Sequence, residues 1–73
     1  MSGLLETILK RTNYEYISDM NGKVLETSVK RALKEVDVRA YPLDEWREAV
    51  TYLTSDVLEF SSLEEIENYI RNI

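Results

Sequence analysis

An α+β fold is what this sequence predicts, a small single domain over residues 1–73 with a β-hairpin, one or two further short strands and three to four helices. Three observations predict it. Leu63, Ile66, Ile70 and Ile73 recur at steps of three and four, with Tyr69 alongside and Glu64, Glu65 and Glu67 off the stripe, the pattern of an amphipathic helix. Asn21-Gly22, the pair favoured in a type I′ hairpin turn, separates Tyr14-Glu15-Tyr16-Ile17-Ser18 from Lys23-Val24-Leu25-Glu26, and both flanks carry strand-forming residues. The composition, 44% hydrophobic and 32% charged, is that of a globular chain rather than a disordered tail.

Taken in order, residues 2–11 form a helix with Leu4, Leu5, Ile8 and Leu9 on one face and Ser2 as its cap. The hairpin spans 14–27. Thr27 or Ser28 then caps a helix over 28–36, in which Val29, Ala32, Leu33 and Val36 face inward and Lys30, Arg31 and Lys34 outward. Residues 37–41 read as a short strand ended by Pro42, because proline pushes its predecessor to extended geometry.

Residues 43–53 support two readings. Leu43, Trp46, Ala49, Val50 and Leu53 have helical spacing, with Pro42 at a first helical position and Asp44 and Glu45 in a first turn. Val50-Thr51-Tyr52-Leu53-Thr54 is β-rich and admits a strand; the helix is the favoured reading. A strand over 57–60 and a helix over 62–72 complete the chain, the helix opened by a capping box in which the Ser62 hydroxyl takes one orphan amide and the Glu65 carboxylate reaches back to another, with Ser61 and Glu64 offering the same pairing one residue earlier. The expected core is Leu5, Ile8, Leu9, Ile17, Val24, Val29, Leu33, Val36, Val38, Trp46, Val50, Leu53, Leu58, Phe60, Leu63, Ile66 and Ile70. Val24-Leu25-Glu26-Thr27-Ser28 and Val57-Leu58-Glu59-Phe60-Ser61 echo one another, which admits a duplicated strand–helix unit.

Charge is unevenly placed. The net charge is −5, yet residues 1–41 carry seven bases against six acids, while residues 42–73 carry two bases, Arg47 and Arg71, against eight acids. An acidic half repels nucleic acid and membrane surfaces and attracts basic protein surfaces. The start of the chain does not read as a secretory signal, since Glu6 interrupts its apolar residues and Lys10 and Arg11 follow them. With no cysteine, a reducing, cytoplasmic setting is expected.

Catalytic apparatus is not evident. The chain has no histidine, no cysteine, and only Gly3 and Gly22 as glycines, so neither a phosphate-cradling loop nor a nucleophile–imidazole pair can be assembled. The carboxylate pairs Asp44–Glu48 and Glu64–Glu67 sit one helical turn apart on single faces, where acid–base work needs groups facing each other across a cleft. No enzyme activity, cofactor or metal is expected. The expected function is a non-enzymatic protein-binding module, a small regulator, inhibitor or complex subunit. It would bind a basic protein surface through Glu45, Glu48, Glu64, Glu65 and Glu67 with Trp46 and Tyr69 as anchors. Two alternatives stand beside it: nucleic-acid binding through Lys30, Arg31 and Lys34, which the net charge disfavours, and an acidic imitation of nucleic acid. Self-association is left open, and no membrane partner is expected.

Overall fold

The order of elements is α1 (Gly3–Lys10), a 3₁₀ turn (Ile17–Met20), α2 (Thr27–Glu35), a second 3₁₀ turn (Val38–Ala40), α3 (Leu43–Thr54) and α4 (Leu63–Asn72). It is taken from a computed structural model that describes residues 3–73. Among those residues there is no strand and no sheet, so the α+β reading is corrected to all-helical. The expected Ser2 cap lies outside the described residues. The radius of gyration, 10.8 Å, is close to the ~11 Å that a compact chain of this length adopts.

Each lost strand has a local cause. At the expected hairpin, Asn21 (φ −58°, ψ 122°) and Gly22 (φ +74°) form a type II turn closed by the Lys23 amide on the Met20 carbonyl at 2.9 Å. The amides beyond it run to a helix instead of to a facing strand. Gly22 N–H donates to the Tyr52 carbonyl (3.2 Å), Val24 N–H to the Leu53 carbonyl (3.1 Å), and the Asn21 side-chain amide to Tyr52 again (3.1 Å). These carbonyls belong to the last turn of α3, where no intrahelical donor remains for them. The residues of the expected hairpin therefore cap a helix end. Met20 is fully buried beside this turn, and Tyr16 is 65% exposed.

At 37–41 the Asp37 carboxylate accepts the Arg39 amide at 3.0 Å and the Asp37 carbonyl accepts Ala40 at 3.0 Å, which coils the segment into a turn. Residues 57–60 run without turn or bend but have no ladder partner. The duplicated strand–helix unit goes with the strands. Val24 is buried where Val57 is 77% exposed, Leu25 is 71% exposed where Leu58 is half-buried, and α4 starts three residues later than the offset requires.

The helices follow their sequence pattern. The helical reading of 43–53 holds, with the Pro42 carbonyl accepting the Glu45 and Trp46 amides just outside the first turn. In α4 the Ser62 hydroxyl accepts the Glu65 amide, while the Glu65 carboxylate reaches the amide of Ser61 rather than that of Ser62. α2 begins at Thr27 behind Glu26, so neither Thr27 nor Ser28 caps it from outside.

α1 packs on α2, α3 and the first 3₁₀ turn, and α4 packs on α2 and the second. Trp46 is fully buried; its indole N–H donates to the Val38 carbonyl at 2.8 Å, and the Tyr41 ring meets it edge-on at 6.5 Å. Leu4, Met20, Ala32 and Ala49 join the core, while the expected core residues Leu5, Leu9, Ile17, Leu58 and Leu63 pack only partly buried at its rim.

Trp46→Phe leaves a void and strips the Val38 carbonyl of its buried donor, so it should cost about 2–4 kcal/mol in urea denaturation; an unchanged midpoint contradicts the packing described. Gly22→Ala forces a Cβ into the left-handed region, and a loss of about 1–2 kcal/mol is expected in the same assay.

Candidate functional site

α3 presents its outer side chains Arg47, Glu48, Thr51 and Tyr52 beside the unbent segment Val57–Phe60. Between them lies an open cleft of about 430 Å³, lined by Arg47 and Thr51 on one side and residues 57–61 on the other. A shallower recess lined by Arg47, Glu48, Thr51 and Tyr52 continues it along the helix. Arg47 holds the two sides together: its Nε donates to the Phe60 carbonyl at 2.9 Å while its guanidinium pairs with Asp44 at 3.5 Å. Phe60 is buried and meets Tyr69 edge-on at 5.6 Å, which fixes the C-terminal end of the segment.

The structure sorts the expected binding residues by what they already do. Trp46 is in the core and offers no surface, which corrects its expected role as an interface anchor. Glu45 accepts the Leu4 amide at 3.4 Å, a carboxylate from α3 placed at the positive start of α1. Glu65 closes the start of α4 on the Ser61 amide, and Glu67 pairs with Arg39 at 3.2 Å. Glu48 and Glu64 are exposed and pair with no base among the described residues. Asp56 and Glu59, flanking and lining the cleft, are exposed in the same way. Four of the eight acids of residues 42–73 thus remain uncommitted.

Among the bases, Lys30 is half-buried and Arg31 exposed on α2, and Lys34 donates to the Ile73 carbonyl at 3.2 Å, tying α2 to the end of α4. Among the described residues no group of three or more potential ligands converges on a metal position, and no helix is long and apolar enough to cross a membrane.

Sequence reasoning missed Arg47 and Val57 as site residues. Arg47 is the one base between Pro42 and Ile70, and that isolation was the available signal. Tyr69 sits at the edge of the site, half-buried, and burial pushes its phenol above the ordinary value of 10.0. No protein-family model, curated protein or solved structure matches this chain.

The Tyr69 hydroxyl forms no hydrogen bond among the described residues, so Tyr69→Phe should fold normally at neutral pH. The raised value means the native state resists deprotonation that the unfolded chain accepts. The stabilisation it reports is fully present below pH ~10 and is lost as pH rises beyond it. Urea midpoints measured between pH 8 and 11.5 should fall less steeply for Tyr69→Phe than for the natural protein; parallel curves would remove Tyr69 from the alkaline transition.

Proposed function

We propose that this protein is a non-enzymatic protein-binding module, a small regulator, inhibitor or complex subunit, that docks a basic partner surface on the α3 face and the segment following it. The observation that carries this reading is the set of uncommitted acids: Glu48 and Glu59 line the recess and the cleft, Asp56 precedes the cleft segment and Glu64 is exposed in the first turn of α4, while other acids of the chain serve as caps or ion pairs. Clustered unpaired carboxylates raise the local negative potential and steer a basic partner into encounter. Tyr52, half-exposed on the same face, takes the aromatic-anchor part that the buried Trp46 cannot play. We place the module in a reducing, cytoplasmic compartment, where a chain without cysteine needs no oxidative folding.

The test is capture from host lysate on the immobilised protein, with and without nuclease, set against the triple variant Glu48→Gln/Glu59→Gln/Glu64→Gln. A protein retained after nuclease and bound roughly tenfold more weakly by the variant at low salt, with the difference fading at high salt, is the expected result. Capture that disappears with nuclease and depends on Lys30 and Arg31 would overturn it in favour of nucleic acid.

A further inference from the structure

The protein-binding reading leaves open how the partner is held, and the inference below rests on that reading. We propose that Val57–Phe60 is an open β-edge that receives an extended basic segment of a partner protein as an added strand.

Side-chain placement along the segment has the period of a strand. Leu58 and Phe60 turn inward, half-buried and buried, while Val57 and Glu59 are exposed, Val57 to 77%. The backbone neither bends nor enters the left-handed region between Val57 and Phe60. Its hydrogen-bonding groups are nevertheless largely unused. The Val57 amide is taken by the Asp56 carboxylate at 2.9 Å and the Phe60 carbonyl by Arg47, but the N–H and C=O of Leu58 and Glu59 have no partner among the described residues. In a strand, alternate residues direct both backbone groups to the same edge. With the Phe60 carbonyl turned to Arg47 on α3, that alternation assigns the groups of Glu59, an exposed residue, to the opposite edge.

These features meet the requirements of β-augmentation, in which main-chain hydrogen bonds supply affinity and alternate side chains supply selectivity. Two strands alone are marginal in water and need a helix behind them, a part that the Phe60–Tyr69 contact and the Arg47 link already assign to α4 and α3. Anchoring Phe60 beforehand lowers the ordering cost of binding.

Charge selects the occupant. From Glu48 to Ile70 the chain has six acids and no base, and Arg47, which precedes that stretch, is already paired with Asp44. A strand alternating basic and apolar residues sets bases against Glu59 and the neighbouring acids. A second copy of this chain brings the same acids to the same edge and is repelled.

The probe is the octapeptide acetyl-(Lys-Val)4-amide, compared with a twin N-methylated at alternate residues so that charge is kept and one hydrogen-bonding edge is lost. Calorimetry should show binding of the first and a loss of tenfold or more for the second, with slowed hydrogen exchange of the Glu59 amide in the complex. On the protein side, Glu59→Gln removes the charge and Glu59→Pro removes the charge and the N–H. Because that N–H makes no bond in the free fold, both variants should unfold at similar urea concentrations, while Glu59→Pro binds at least tenfold more weakly than Glu59→Gln. Equal binding of the two peptides, equal binding by the two variants, or no binding of the octapeptide at millimolar concentration would overturn the strand geometry. Concentration-dependent dimerisation of the natural protein that Glu59→Pro abolishes would overturn it in favour of a second copy. The protein-binding reading stands or falls separately, on whether the glutamine triple variant loses its lysate partner.

Discussion

Trp46 places the largest side chain of the protein in the centre of the core with an N–H that must find an acceptor there, and the hydrogen bond to the Val38 carbonyl at 2.8 Å is how that demand is met. A carbonyl committed to a sheet ladder would point at a neighbouring strand, so the link between α2 and α3 coils into a 3₁₀ turn that aims Val38 inward. Tyr41 then lies edge-on to the indole, and its hydroxyl shares a 2.8 Å hydrogen bond with Thr7, bringing α1 to the same point. α3 also supplies Glu45 to the start of α1 and the carbonyls of Tyr52 and Leu53 to the loop after the first 3₁₀ turn. A chain of 73 residues buries a modest core, and pinning so many segments on one helix lets a small core specify one arrangement.

The helices were legible because their signal is periodic and repeated. Leu63, Ile66 and Ile70 need no tertiary information to be assigned to one face, and the reach of Ser62 and Glu65 at the start of α4 is set by local geometry alone. The strands were misread because their signals are shared. Asn-Gly serves a type II turn as well as a type I′ turn, since both need a residue at positive φ, and Gly22 supplies it at +74° in either. What decides between hairpin and turn is where the following amides find acceptors, and the carbonyls of Tyr52 and Leu53 lie some thirty residues away in the sequence. The same holds for 37–41, where Asp37 bonding to Arg39 is local but the pull of Trp46 on Val38 is not.

The candidate site was legible in its charge and not in its geometry. Sequence shows that Glu45, Glu48, Glu64, Glu65 and Glu67 are acidic and close in the chain; it does not show that Glu45 is spent on the start of α1 or Glu67 on Arg39. Trp46 and Tyr52 have the same claim as interface anchors by residue type, and only the packing separates the buried one from the half-exposed one. Residues 57–60 have strand-forming composition and were expected as a strand, and the chain offers them no ladder partner, so that strand is not formed.

That unmet preference bears on function. Backbone groups exposed to water are satisfied by water, so leaving Leu58 and Glu59 unpaired carries little penalty in the free protein. Keeping the segment unbent is a different matter, because a solvated four-residue stretch has many conformations available and fixing each residue costs about 1–2 kcal/mol. Here Phe60 in the core and Arg47 on its carbonyl hold one end, and the Asp56 carboxylate on the Val57 amide holds the other. The chain therefore bears the entropy of an ordered segment without collecting the hydrogen bonds of a strand, and a ligand strand is the kind of partner that would recover them.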